Sequence, residues 1–575
     1  MTPTSTDDFS SIAQKIAVAR DRWRVLDASL TRSADRTYAV VDVDGECRLL
    51  QIGGEPDLGA PVWQDPVARQ YLYPFASTDH DYIQAFVERV DRSFLPRPQG
   101  DQPAIAAGNR HPEISLPAVF DAFHAILKRT GKNLASTVQL SATREMTTDA
   151  EIAARDGSNP TAPGHTRVTI RHLYHAGLWA AIREGYREGY NAEADHFIVS
   201  GEDDRAIAKS VEWVKEAIRH ASGHTKFTTD TSRVFDLRAD ARHPQPWTEA
   251  EIEDLFERRL TVDEGKWARS AFSATFDCGR CTYQFTLPET KRLAVKFGPS
   301  LKLNEQLYDE IKRVKHGAPF DFEPSLDEAE TLTTPQELIF YMHWLRERGR
   351  PAQLVPPNLG FKKRQAYPEK RDALAAYATH KMWPELLDRV DGQFSGDPIA
   401  ELKDRVVELA SVARFFDGTL SIHSGSGKQP EVLRTIGSAT GGRLNYKISG
   451  ELQLQFFDVL SEQPAGSPER KLFERMVAAC DKFAESGAFG SESGLAQEYR
   501  ASHGAYLGDA SRGRVDGNLF LVFWLGNMVG SRDEDGRFFK DSLDHVPASI
   551  VAETRRRNAD YICWLAQHLF EGTGA

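Results

Sequence analysis

Long apolar runs are missing from this 575-residue chain. No window approaches the roughly 18 consecutive apolar residues that a bilayer-crossing helix needs. The opening stretch, MTPTSTDDFSSIAQK, has no cationic segment followed by an apolar one, so a secretory leader is not expected and the cytoplasm is the expected compartment. Basic clusters are equally scarce. With 71 Lys and Arg against 83 Asp and Glu, the net charge of −12 disfavours a polyanionic partner, because nucleic-acid binding needs a concentrated basic surface. The longest basic run, Arg555-Arg556-Arg557, sits in a helical pattern and reads as a solvated face. Neither nucleic acid nor membrane is therefore an expected partner. The five cysteines, Cys47, Cys278, Cys281, Cys480 and Cys563, are too few for a disulfide framework. Cys278 and Cys281 have CxxC spacing, yet the second pair of ligands that zinc requires has no matching motif, so the pair reads as part of a hairpin.

Phosphate-cradling loops are absent too. In TLSIHSGSGKQPEV (419–432) a Walker loop would need Gly where Ile422 stands and Ser or Thr where Gln429 stands. The dinucleotide pattern GxGxxG fails at the same place, since Gly425-Ser426-Gly427 runs into Lys428, Gln429 and Pro430. A nicotinamide-dependent reaction is disfavoured accordingly.

What remains is a chain with 41% hydrophobic and 27% charged residues, ample for a core. Its length exceeds the usual single domain, but barrels regularly do so. Residues 1–100 read as an α/β element with a hairpin around Asp44-Gly45, a dipeptide that accepts the positive φ of a tight turn. Pro96, Pro98 and Pro103 mark its end. From 101 to 466 short strands alternate with helices. The strands are expected at 103–108, 134–141, 191–196, 225–231, 320–328, 353–359, 419–424 and 443–449. Helices are expected over 301–316, 334–349 and 401–416, where Leu402, Val406, Leu409, Ala413 and Phe416 form one stripe. Eight βα units close most simply into a (β/α)8 barrel, with 240–300 as an irregular insertion carrying a hairpin around 270–297. Residues 467–575 read as a helical extension, with helices over 468–485 and 548–570.

Strand parity sorts these residues by face. Leu420 and Ile422 face one way, Ser421 and His423 the other; Leu444, Tyr446 and Ile448 alternate with Asn445, Lys447 and Ser449. Gln139 and Ser141, Thr228 and Asp230, and Glu323, Ser325 and Asp327 form further inward sets. Buried charges are costly unless paired, metal-bound or open to substrate, so convergence at one mouth marks a site. Imidazole and carboxylate ligands suit Zn, Ni, Mn, Co or Fe, and Asp195, His196, Asp327, Glu328, Glu330 and His423 all stand at strand ends. Taken singly, each also fits an ordinary polar contact or an acidic helix start. Parity leaves open which carboxylate coordinates, because strand ends bend and bulge.

These residues lie in segments that resemble the tagaturonate/fructuronate epimerase family, in order: GNRHPEISLPA (108–118), QLSATRE (139–145), REGYREGYNAEADH (183–196), FTTDTS (227–232), FDFEPSLDEAETLTTP (320–335), SIHSGSGK (421–428) and SATGGRLNYK (438–447). The resemblance covers roughly 100–450, with a weaker echo in GRFFKDSL (536–543). It implies a metal-dependent epimerase acting at C4 of a 2-ketose or keto-uronate, by retro-aldol cleavage of C3–C4 and re-addition through a metal-stabilised enediolate. Carried over position by position, it implies His196, Glu328 and His423 as metal ligands and Glu145 and Asp195 as acid/base residues. Asn109, Arg110, Gln139, Arg144, Asp230, Asp327, Lys428 and Lys447 would contact substrate.

The chain departs from the family pattern where Gly427 replaces a usual aspartate, where Asn445 replaces a usual histidine, and in LFLVFWLGN (519–527), which lacks the family's histidine. These departures imply an altered substrate preference. A lyase or isomerase using the same enediolate chemistry would release an aldehyde, and a silent sugar-binding barrel would bind without turnover.

Overall fold

The two-residue turn at Asp44-Gly45 forms as its dipeptide dictates, with φ of 54° and 91°. In the computed structural model, which describes residues 23–160, 162–327, 331–361, 366–369, 397–448, 450–485 and 525–572, this turn joins β3 (Arg36–Val43) to β4 (Glu46–Ile52). Around them lie β1 (Trp23–Val25), β2 (Thr31–Ser33), β5 (Trp63–Asp65) and β6 (Gln70–Pro74). The antiparallel order is β1-β3-β4-β6-β5, with β2 on β3. One face buries Tyr38, Val40, Leu49 and Tyr73 against the helix His80–Arg89, whose Phe86 ring lies 5.7 Å from that of Tyr38.

The eight barrel strands are β7 (Ala104–Gly108), β8 (Ala135–Ser141), β11 (Tyr190–Ile198), β12 (Lys226–Asp230), β15 (Asp321–Ser325), β16 (Leu354–Val355), β17 (Thr419–Ile422) and β18 (Leu444–Ile448). Between them fall two minor pairs. Strands β9 (Met146–Thr147) and β10 (Val168–Thr169) pair in parallel, and β13 (Thr275–Asp277) and β14 (Thr282–Gln284) form a hairpin. Consecutive barrel strands pair in parallel except β15 and β16, and β18 returns to β7.

The ladder is interrupted only between β15 and β16, where Gln353 N bonds Phe322 O at 3.1 Å and Leu326 N bonds Pro356 O at 3.1 Å. Pro324 lies midway between Phe322 and Leu326 and shares their parity, so a donor is missing from this seam. Pro356 and Pro357 stop β16 after two residues. The strand expected over 353–359 is therefore much shorter than its apolar run suggests. The apolar faces of β17 and β18 (Leu420, Ile422, Leu444, Tyr446 and Ile448) are buried, each aliphatic side chain contributing about 1.5–3 kcal/mol.

The stretch 240–300 is more ordered than its composition suggests. It holds helices Glu249–Arg259 and Val262–Ala271 and the start of a long helix, Leu287–Lys315. The expected hairpin over 270–297 contracts to Thr275–Gln284, because Thr286 and Glu289 make a capping box with Pro288 in the first turn and begin the helix early. Helices Pro335–Glu347 and Pro398–Phe415 lie where their stripes place them. Near the C-terminus are Pro468–Glu485 and Ala548–Phe570. In the latter, Arg556 pairs with Glu553 and Asp560, Arg557 with Glu553 and Glu462, and Arg555 donates to the Glu113 carbonyl. No helix among the described residues is long and apolar enough to cross a membrane.

Cys278 and Cys281 face each other across the β13–β14 turn, with Cys278 N donating to Cys281 O at 2.9 Å. Among the described residues no group with metal-ligand spacing includes them.

Candidate active site

Parity carries through to the barrel interior. Asn445 donates to Ser421 Oγ at 2.8 Å, which fixes those two positions as inward-facing. One pair further along, Lys447 lies between three strands: its Nζ is 2.5 Å from Glu193 Oε1, 2.7 Å from Asp195 Oδ1 and 2.6 Å from Glu323 Oε1, and it donates to Thr228 Oγ1 at 3.1 Å. Burial opposes the charge on Lys447, but Asp195, Glu193 and Glu323 outweigh it and hold the ammonium well above the ordinary lysine range. Lys226, on β12, adds a second ammonium 2.8 Å from Glu323 Oε2 and 3.3 Å from Glu193 Oε2. All six side chains are at most 5% exposed. Glu193 and Lys226 were not foreseen, although each has a legible signal: Glu193 shares the parity of Asp195, and Lys226 that of Thr228 and Asp230.

His423 follows directly on β17. Its Nε2 lies 2.7 Å from Glu323 Oε1, while its Nδ1 is buried 3.2 Å from Asp327 Oδ1 and makes no hydrogen bond. Burial disfavours the imidazolium, yet Asp327 and Glu323 push His423 up to about 9. His196 reaches the same place by a different route. A register shift between Ala194 and Phe197 and a left-handed φ of 47° at His196 put its imidazole beside Asp195, out of simple alternation. Its Nε2 is 3.9 Å from Asp195 Oδ2, its Nδ1 3.8 Å from Asp230 Oδ2, and its ring centroid 5.3 Å from that of His423. Asp230 also accepts from Ser232 N at 3.1 Å, and Asp327 from the Ser325 hydroxyl.

Asp195 is held at both oxygens, by Lys447 at Oδ1 and by Gln139 Nε2 at Oδ2. Burial raises its pKa, but His196, Lys447 and His423 prevail and keep the carboxylate ionised. Glu145 stands in the loop after β8, bonded to Arg110 and to Ser141 N. There too burial is outweighed, first by Arg110 and then by Arg144, so Glu145 is an anion. Arg110 is 4% exposed, and its Nε and Nη1 have no hydrogen-bond partner. Asn109 turns back on its own strand, donating to Ala107 O at 2.6 Å and accepting from Ser115 Oγ at 2.8 Å. Lys428 is buried over the Phe361 ring at 5.1 Å and bonds Ser426 O at 3.3 Å. The preceding turn needs Gly425: a Cβ there would lie 2.4 Å from Tyr446 Cζ, and the Tyr446 hydroxyl donates to Gly425 O at 2.6 Å. Glu328 and Glu330 lie outside the described residues.

Two groups of donors could hold a cation. Glu193, Asp195 and Glu323 bring their oxygens within 4.8 Å of one another, but the Lys447 ammonium already lies between them. The second group is His196, His423 and Asp327. Around it five buried carboxylates (Glu193, Asp195, Asp230, Glu323, Asp327) face two lysines (Lys226, Lys447), and the His423 Nδ1 is a buried nitrogen without a hydrogen bond. A surplus of buried negative charge beside two imidazoles fits a divalent ion of the Zn, Ni, Mn, Co or Fe type.

Residues 164–362 match the family model for tagaturonate epimerase. A tagaturonate/fructuronate epimerase of Thermotoga maritima is 28% identical over 297 residues, 52% of this chain and 51% of that relative. Over these segments the chain is similar to the tagaturonate/fructuronate epimerase family. The sequence match spans about half the length of the Thermotoga relative. At the level of fold the likeness is fuller. A glycerol complex of the fructuronate-tagaturonate epimerase from Cohnella laeviribosi superposes with a TM-score of 0.67 at 18% identity, covering 98% of this chain and 99% of that one. The native crystal structure of the same enzyme gives the same values, a TM-score of 0.67 at 18% identity.

Proposed function

We propose that this protein is an isomerase that inverts C4 of a keto-uronate of the tagaturonate/fructuronate type, with His196, His423 and Asp327 as the residues that would hold a divalent cation. The observation that carries this reading is the excess of buried carboxylate around two converging imidazoles, on strands within and beside the family-matched segment. Such a cation, when bound, supplies Lewis-acid polarisation of a substrate carbonyl.

The chain's own groups provide the rest. Asp195 and Glu145, both ionised, are the acid/base candidates for the C4 hydroxyl. Loss of that proton lets the C3–C4 bond break, its electron pair passing through C3 to the C2 carbonyl oxygen while C4 becomes an aldehyde. Rotation about C4–C5 presents the other aldehyde face. C3 then adds back, and the C4 oxygen recovers its proton from the acid. Gln139 and Lys447 hold the Asp195 carboxylate in one orientation throughout. Arg110, Arg144 and Lys428 are the cationic residues assigned to an anionic substrate, and Arg110 has two unpartnered nitrogens to offer.

The test is metal analysis of purified protein, followed by incubation with 2-ketoses and keto-uronates in D2O and NMR detection of a C4 epimer. The C4 hydrogen should be retained, since a C–C bond and not the C4–H bond breaks. No turnover on any substrate defeats the reading, and deuterium at C4 defeats the retro-aldol route.

A further inference from the structure

Glu323, on β15, shares the inward face of Asp327 four residues further along the chain, yet both its oxygens lie against cations. Oε1 receives His423 Nε2 at 2.7 Å and Lys447 Nζ at 2.6 Å, and Oε2 faces Lys226 Nζ at 2.8 Å. The side chain is fully buried between the two lysines. Two lysines from β12 and β18 thus clamp a carboxylate on β15, and the carboxylate holds one edge of an imidazole on β17. The opposite edge, His423 Nδ1, is left without a hydrogen bond on the side of Asp327 and of the His196 ring.

We infer that Glu323 is a positioning residue which presents His423 to a divalent cation through Nδ1, and that the clamp by Lys226 and Lys447 keeps Glu323 itself out of the coordination sphere. This rests on the metal-site reading above. A carboxylate that accepts the distal N–H of a ligating imidazole fixes its tautomer and ring orientation, and loss of such a partner typically weakens metal binding by about 10–100-fold. Lys447 supplies the positive charge among Glu193, Asp195 and Glu323, so that acidic triad is a charge-paired support beneath the cation site.

The experiment titrates the full-length protein with Co2+ against a chromophoric chelator and records the visible spectrum of the loaded protein, for wild type, Glu323→Gln and Glu323→Asp. Asp keeps the charge but withdraws the oxygen by one methylene, and it provides a readout if the neutral Gln among two lysines prevents folding. Both variants should keep one cation per chain and the wild-type band shape, with affinity about 10–100-fold weaker. Unchanged affinity overturns the positioning role. A changed band shape or lost stoichiometry places Glu323 among the ligands and also overturns it. If wild type itself takes up no cation, the metal-site reading falls first, an outcome distinct from either.

Discussion

Two buried ionic networks in this molecule differ in one respect. The first joins Asp240, Arg242, Lys296 and Glu337, with Arg242 also bonded to Leu332 O and Thr331 Oγ1 in the segment that follows β15. Lys296 Nζ lies 2.6 Å from both Asp240 Oδ2 and Glu337 Oε1, and Arg242 bonds Asp240 at 2.7 Å and Glu337 at 2.9 Å. Two acids meet two bases, and no side-chain atom of the four lacks a hydrogen bond. The second network, inside the barrel, sets five carboxylates against Lys226, Lys447 and His423, and includes a buried imidazole nitrogen with no hydrogen bond. Charge balance separates a network that ties elements together from one with room for a further positive charge. The first needs nothing more, whereas the second has the surplus of negative charge on which the proposed cation site rests.

Breaking the second network at the imidazole proposed to hold the cation should have the largest effect. His423→Ala should lower turnover on the order of a thousandfold, in line with the several kcal/mol a Lewis acid supplies. Metal content by emission spectrometry should fall with it, and full metal content with full turnover would contradict the assignment. Lys296→Met breaks the balanced network by leaving Arg242 alone with two acids. It should cost about 3–5 kcal/mol in urea unfolding, with cation affinity at the barrel mouth unchanged. The contrast sharpens when cation is added. At about 100 times its dissociation constant it should stabilise wild type and Lys296→Met alike by about 2.7 kcal/mol, and His423→Ala not at all, as read from thermal melts.

A third cluster supplies the smallest effect. Burial and then the neighbouring Asp121 push Glu184 up to about 7. Its folded pKa thus exceeds the unfolded one, so its contribution to stability is full below about 4.5 and is lost as pH rises through about 7. Glu184→Gln should therefore flatten the decline in stability between pH 5 and pH 8 by about 1–2 kcal/mol; an unchanged slope would show that Glu184 does not titrate in this range.

Much of the barrel was legible because its signals are local. Alternating apolar residues in 419–422 and 444–448 form strands whose other face is inward, and Asp44-Gly45 forms a turn whatever surrounds it. The insertion was misread because a capping box at Thr286 and Glu289 looks like any polar stretch until a helix follows it. The strand at 353–359 was overestimated because proline in an apolar run removes ladder donors without altering hydrophobicity. Within the site, His423, Asp230, Glu323, Asp327 and Lys447 lie at one interior, on the face that alternation gave them, and Asp195, read only as a strand-end residue, joins them. His196 needed a bulge to join them, and no pattern of alternation announces a bulge.

By itself the sequence determined which side chains face inward and in what order the strands run, since both follow from backbone geometry and connection length. Only the tertiary structure decided which charges meet. Lys226 and Lys447 are 221 residues apart, and what makes them neighbours of Glu323 is the closure of the sheet. Ion pairing acts over a few ångströms of space and carries no trace in sequence separation, so the lysine clamp, and with it the unbonded Nδ1 edge of His423, became visible only in the folded barrel.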